Sequence, residues 1–240
     1  MKAILLAAGL GTRLRPITNT IPKCLVPING EPLLGLWIKK LVALDIKEIL
    51  INVHYFAEQV EQFISQSPYR SRITLVREQQ LLGTGGTLIS NKDFWKDDTT
   101  LVIHADNYCE DTLDDMLIAH NQRPEPCDAT LLLFNTEQPK QCGIVELSSH
   151  GVIKAFHEKV DNPPGNLASG ALFIFSEHVY TKYCTHFTQG HFYEISLDIV
   201  PLMVNNLYTY KTSGMYVDIG TPSAYENLQS ILKHPNNEDI

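Results

Sequence analysis

Leu6 to Lys23 reads LAAGLGTRLRPITNTIPK. The stretch follows the apolar run Ala3-Ile4-Leu5, sets glycine at positions 9 and 11, and then carries Arg13, Arg15 and Lys23, with Pro16 and Pro22 restricting the backbone. Glycine lets a backbone approach an anion closely and turn its N–H groups toward it, and arginine and lysine supply matching charge. The combination suits an oligophosphate better than it suits an ordinary charged surface loop. Two common phosphate motifs are excluded at this place. A dinucleotide fingerprint needs a third glycine and an immediate helix, whereas Leu14 stands at that position and Pro16 follows. The glycine-lysine pair followed by serine or threonine is also missing.

Outward from this loop the chain alternates between two periodicities. Met1-Lys2 followed by AILLAAGLG resembles a short secretion signal, but the apolar run is under about ten residues and soon meets Arg13, as a buried strand entering a loop would. Pro32 sits where a helix could begin, and Leu34, Trp37, Leu41 and Leu44 recur along one helical face. Glu48 to Val53 has strand length. Ala57, Val60, Phe63 and Ile64 have helical spacing. The strand Ile73 to Arg77 leads to Leu82-Gly83-Thr84-Gly85-Gly86, and the strand Leu101 to His104 ends at Asp106. A helix through Leu113, Met116 and Leu117 precedes the strand Ala129 to Phe134. Such alternation predicts an α/β fold, a Rossmann-like and mainly parallel sheet flanked by helices, with functional loops at the carboxyl ends of its strands. Three loops then share one edge: Gly9 to Lys23, Leu82 to Gly86, and the turn at Asp106.

From Cys142 the texture changes to GIVELS, VIKAFHEK and LASGALFIF, short alternating runs that predict a small antiparallel acceptor or lid region over about 142–175. Further strands are expected at Tyr208 to Lys211 and Met215 to Ile219, and Tyr225, Leu228, Ile231 and Leu232 define a closing helix. The expectation is a single domain over 1–232, with a flexible tail at 233–240.

A chain of 240 residues with 44% apolar content can bury a large core. Its net charge of -8 argues against nucleic acid or an anionic membrane as the main partner, so anion binding must be local. Cys24, Cys109, Cys127, Cys142 and Cys184 show no paired spacing and read as reduced thiols of a cytoplasmic protein. No run approaches the roughly 20 apolar residues of a membrane span.

The pattern G-x-G-T-R-L-x-P-x-T followed by P-K resembles, residue for residue, the signature of the sugar-1-phosphate nucleotidyltransferases, in particular the mannose- and heptose-phosphate guanylyltransferases. Further motifs extend the resemblance over nearly the whole chain. Such enzymes join a nucleoside triphosphate to a sugar 1-phosphate and release pyrophosphate. By position, the resemblance implies nucleotide binding at Leu6, Ala8, Gly9, Gly11 and Thr12, with Arg13 neutralising the leaving pyrophosphate and Lys23 near the transferring phosphoryl. Asp106, at the end of an apolar strand, either binds metal or caps the next helix. Asp218, in Tyr-Val-Asp-Ile-Gly-Thr-Pro, resembles the family's second metal carboxylate, so Mg²⁺ is the expected cofactor. Ala105 stands where relatives often carry glycine.

For the acceptor, Gly143 resembles part of a segment facing the sugar, and Phe156-His157-Glu158-Lys159 resembles an F-x-E-K-P motif in which glutamate bonds sugar hydroxyls and lysine meets the phosphate. Val160 replaces the proline. Ala168-Ser169-Gly170 stands where relatives carry an asparagine-x-glycine turn, which places Ser169 and Gly170 beside the sugar. A solvated Glu-Lys pair on a hairpin is the alternative for Glu158 and Lys159.

Leu82-Gly83-Thr84-Gly85-Gly86 resembles the guanylyltransferase form of its motif. Gly83, Thr84 and Gly85 are expected to let a purine lie on bare backbone, while Glu78 accepts from the guanine N1 and N2 donors. The leading pair is therefore GTP with a mannose or heptose 1-phosphate. A uridylyl- or cytidylyltransferase acting on another sugar phosphate or on phosphocholine is one alternative, and a catalytically silent sugar-nucleotide sensor is another. His54, His104 and His157 show no metal spacing and read as structural, or as residues supporting a site from behind, rather than as ligands. Ser196 and Cys109 have no partner for nucleophilic catalysis, and Tyr193 is assigned to packing. Assembly is left open, with a homodimer as one option.

Overall fold

The computed structural model describes residues 1–233. The expected tail lies outside the described residues apart from Lys233, which closes the last helix. In chain order the principal elements are β1 (Lys2–Leu6), α1 (Leu33–Ala43), β2 (Ile49–Val53), α2 (Ala57–Ser65), β3 (Ile73–Arg77), α3 (Gly83–Ser90), β4 (Thr100–His104), β5 (Asn107–Cys109), α4 (Asp114–Asn121), β6 (Ala129–Asn135), β7 (Gly143–Leu147), β8 (Ile153–Glu158), β9 (Leu167–Phe175), β10 (Leu207–Lys211), β11 (Tyr216–Asp218) and α5 (Pro222–Lys233). Among the described residues no helix is long and apolar enough to cross a membrane.

Nine strands form one sheet in the order β8, β7, β9, β4, β1, β2, β3, with β6 and β10 continuing from β9. β1 pairs in parallel with both β2 and β4, and β2 with β3. All five residues of β2 are buried, as are the last four of β1, which is why these strands read as continuous apolar runs: a parallel sheet is covered on both faces. On one face pack Trp37, Ile38 and Leu41 of α1, Val60 and Ile64 of α2, Met116 and Leu228. On the other lie Leu88, Ile89, Trp95, Val179, Ile195 and Ile199. Full burial of each such aliphatic side chain contributes about 1.5–3 kcal/mol.

Two expectations are corrected. LASGALFIF is antiparallel as expected but is built into the main sheet rather than set on it: Leu172 to Phe175 of β9 pair with β4, and Phe173 to Phe175 with β6. Its last four residues are buried, the mark of a strand covered on both faces. Only the β7–β8 hairpin stands at the sheet's end. The second correction concerns Leu82 to Gly86, expected as a loop. Gly83 opens α3, so the glycines form the first turn of a helix.

Two further contacts position the active edge. The indole N–H of Trp37 donates to the carbonyl of Asn107 at 2.9 Å, fixing the turn after β4. β5 then pairs antiparallel with β11, setting Asp218 opposite Asn107 and thus beside Asp106.

Candidate active site

Gly11 begins the loop's geometry. Its φ of +62° is left-handed, a conformation that favours glycine, and its carbonyl accepts from Thr18 Oγ1 at 2.6 Å. The chain then makes a single tight turn at Thr12–Leu14, which leaves the Arg13 side chain 60% exposed. Pro22 leads into a second tight turn that buries Lys23.

The buried ammonium of Lys23 lies 2.9 Å from Asp106 Oδ2 and 3.3 Å from Asp218 Oδ1, so a residue of the loop after β1 meets residues at two strand ends. The Lys23 side chain is 7% exposed, against 38% and 44% for its two partners. Burial works against the charge of Lys23, but the two carboxylates outweigh it and hold its pKa above the usual value. Burial likewise opposes the charge of Asp106, and Lys23 overcomes it, keeping the carboxyl below its ordinary pKa. Arg13 Nη2 stands 3.8 Å from Asp218 Oδ2. Cys24 also lines the cleft, but burial pushes its thiol up to about 12, where no nucleophile forms near neutrality.

Two clefts open here. One, of about 430 Å³, is lined by Leu6, Ala8, Gly9, Gly11, Thr12, Arg13, Lys23, Glu78, Gly83 and Thr84. The other, of about 360 Å³, is lined by Gly143, Glu158, Lys159, Ser169 and Asp218. Arg13, His104, Asp106 and Glu194 line both and form the seam between them.

Two of the expected site residues do not line a cleft. The Gly85 N–H donates to the Tyr193 carbonyl at 2.8 Å, and the Gly86 N–H donates to the same oxygen at 3.0 Å, so neither is free to read a base. Gly170 is packed under Leu132 and Tyr216, its carbonyl accepting from the Tyr216 hydroxyl, and Ala171 lines the second cleft instead. Lys159, 62% exposed, pairs with Glu158 at 3.2 Å on the wall of that cleft.

Glu78 is buried by a network. Its Oε1 accepts from Asn52 Nδ2 at 2.9 Å and Thr87 Oγ1 at 2.5 Å, and its Oε2 from the Leu82 N–H at 3.3 Å. Asn52 in turn accepts the Ala7 N–H at 2.8 Å, tying the end of β1 to the base of α3. A carboxylate offers about four acceptor positions, and the protein fills three of those of Glu78.

Sequence reasoning missed four contributors. Asn52 and Thr87 hold Glu78, Phe192 stands 62% exposed at the mouth of the first cleft, and Glu194 sits at the seam. Asn52 left a signal, a lone polar residue inside ILINV. His104 was read as structural; its Nε2 is buried with no hydrogen-bond partner among the described residues, and burial lowers its pKa.

The sequence model of the family described as Nucleotidyl transferase matches residues 2–234. The chain belongs to this family. A Sulfolobus acidocaldarius relative, provisionally named mannose-1-phosphate guanyltransferase, is 31% identical over 98% of this chain and 65% of its own length. The mannose-1-phosphate guanyltransferase of Schizosaccharomyces pombe is 29% identical over 98% of this chain and 66% of its own. The chain thus spans just under two thirds of the length of these relatives. A solved Bacillus anthracis structure, provisionally a glucose-1-phosphate thymidylyltransferase, superposes with a TM-score of 0.86 at 23% identity, covering 100% of this chain and 98% of that one, and shares the fold.

Proposed function

We propose that the protein transfers a nucleoside monophosphate from a nucleoside triphosphate to a sugar 1-phosphate, releasing pyrophosphate, with GTP and a mannose or heptose 1-phosphate as the leading pair. The observation that carries this reading is the meeting of Asp106 and Asp218 on Lys23 beside the seam of two clefts. A transfer between two phosphorylated substrates needs each substrate in its own cleft and cationic charge where they meet, which Arg13, Lys23 and a metal ion on the two carboxylates would supply.

The nucleotide occupies the larger cleft, its triphosphate over Gly9, Gly11 and Thr12, with Arg13 opposing the charge that develops on pyrophosphate. Lys23 faces the transferring phosphoryl group. The sugar phosphate occupies the second cleft, with Glu158 bonding ring hydroxyls and Lys159 meeting the phosphate, so that its oxygen attacks the α-phosphorus in line. Catalysis on this account is positioning plus electrostatic stabilisation.

Mg²⁺ fits the donor set. Two partly exposed carboxylates converge on one ammonium, with the Arg13 guanidinium 3.8 Å from one of them, and Mg²⁺ is usually held by one or two carboxylates plus substrate phosphates. Asp106 and Asp218 would hold the ion, which when bound neutralises phosphate charge. Five free cysteines support a reducing, cytoplasmic setting.

The guanine assignment rests on the remaining acceptor position of Glu78 and on the names of the relatives, because the glycines of α3 no longer support it. A polar partner of this kind rejects a base that leaves it unpaired by far more than size alone would. A grid of nucleoside triphosphates against sugar 1-phosphates, read by Mg²⁺-dependent pyrophosphate release, tests the whole reading. GTP should exceed UTP, CTP and dTTP by at least about a hundredfold in kcat/KM, and Glu78→Gln should erode the preference. A better pyrimidine donor would overturn the guanine assignment alone; no release with any pair would overturn the transfer.

A further inference from the structure

Glu194 lines both clefts, and nothing in the reaction as described uses it. It is held with unusual firmness for a residue between elements. Thr84 donates to Glu194 Oε2 twice, from Oγ1 at 2.6 Å and from the backbone N–H at 3.3 Å. The same Thr84 hydroxyl accepts the Ile195 N–H at 2.9 Å, and the Glu194 N–H donates to Asp198 Oδ2 at 2.6 Å. Just before it, the Tyr193 carbonyl takes both the Gly85 and Gly86 N–H groups, and the Tyr193 N–H donates to the Leu82 carbonyl at 3.0 Å. One oxygen is therefore fully engaged. The other, Oε1, makes no hydrogen bond or ion pair among the described residues.

A carboxylate oxygen fixed at a seam between phosphate-binding clefts restricts its own partner. Phosphates repel it. Of the groups that a nucleotide and a sugar phosphate bring, only base N–H groups and ring hydroxyls donate. Glu78, assigned to the base, lines the first cleft alone, while Glu194 faces the junction. We propose that Glu194 is a specificity-determining residue whose Oε1 accepts a hydrogen bond from one sugar-ring hydroxyl at the junction, on the ribose or on the acceptor ring. This rests on the transfer reading given above.

Glu194→Gln isolates the claim. Both Thr84 groups donate, so the amide oxygen must take the Thr84 side, and the NH₂ then faces the clefts. The substitution replaces an acceptor by a donor while keeping the clasp. The test measures kcat/KM for wild type and variant with GTP, 2′-deoxy-GTP, 3′-deoxy-GTP, the sugar 1-phosphate and its singly deoxygenated analogues. Wild type should lose roughly tenfold to a hundredfold when one particular hydroxyl is removed. The variant should lose as much on the intact substrate and little more on that analogue. Whether the sensitive analogue is a nucleotide or a sugar phosphate identifies the ring. Losses that add for every analogue, or an unchanged kcat/KM in the variant, overturn the proposal. Should the variant fail to fold, Glu194→Asp, which shortens the reach of the carboxylate, takes its place with the same criteria. Calorimetric affinities of the analogues give the same comparison without turnover. Absent pyrophosphate release by wild type therefore counts against the transfer reading, and additive affinity losses count against the role of Glu194.

Discussion

Two glycine-rich stretches face the same cleft, and Gly9 of the first is used in the opposite way to Gly83 and Gly86 of the second. At Gly9 an added Cβ would meet nothing within 4 Å. At Gly83 it would press into the Tyr193 carbonyl, and at Gly86 into the carbonyl of His191. In the first stretch Gly9 has open space beside it, although Gly11 already packs against Thr18 and Lys23; the second stretch fills its space with the protein's own chain. Glycine in a sequence marks a close approach without saying what approaches. The difference follows from partners: the first loop carries the cations Arg13 and Lys23, whereas the turn of α3 is seated under residues 191–195 and has the Gly85 and Gly86 N–H groups taken.

The largest expected effects sharpen the ligand side of this contrast. Arg13→Ala and Lys23→Ala should each lower turnover by roughly 10²- to 10³-fold, the scale for losing one group that stabilises developing charge. Thermal melts should separate them. Arg13 is 60% exposed, so its loss should leave the melt unchanged, while removal of the buried Lys23 leaves Asp106 and Asp218 facing each other and should lower it. Near-normal turnover in both variants would take the loop out of the mechanism.

The other side of the contrast predicts a stability effect. Gly86→Ala forces the His191 carbonyl to shift, and Gly83→Ala adds a left-handed φ of +71° to a clash with Tyr193. Overpacking of this kind costs about 1–3 kcal/mol, or about 2–4 °C of melting temperature per kcal/mol in a chain of this size. Gly83→Ala should fall further than Gly86→Ala. A melt unchanged in both would mean that the segment over α3 is loosely seated, and the rigid clasp on Glu194 would go with it.

The strands, their order of appearance and the phosphate loop were legible because each depends on local pattern: continuous apolar runs, helical spacing, and a motif of adjacent residues. The convergence of Lys23, Asp106 and Asp218 was legible only as a loop and two strand ends awaiting a sheet. Pairing partners were not. Nothing in LASGALFIF says that it enters between β4 and β6, because an apolar run declares burial but not its neighbour. Residues 191–195 were the larger loss. HFYEI carries no periodicity, and its importance arises from bonds to residues 110 positions away, such as Thr84 to Glu194. Asn52 could have been found, since a polar residue inside a buried strand must have a partner, and here that partner is Glu78.

The smallest expected effect on the fold is the most discriminating. Gly9 has open space around its Cβ position, and its φ lies outside the left-handed range, so Gly9→Ala strains nothing in the free protein. Its melt should stay within about 2 °C of wild type, since surface changes away from special features stay within roughly 0.5 kcal/mol. Nucleotide binding is different on the proposed reading, in which the triphosphate lies against the bare backbone of Gly9 in the cleft that it lines and an added methyl group would stand in its way. Calorimetry with GTP should therefore show a loss of roughly tenfold or more, while affinity for the sugar 1-phosphate in the second cleft stays the same. If Gly9→Ala melts early, the space at the loop belongs to the fold after all, and the two glycine stretches are alike. If it melts normally and binds GTP normally, the phosphates do not lie on this backbone, and the charge at Arg13 and Lys23 must hold them alone.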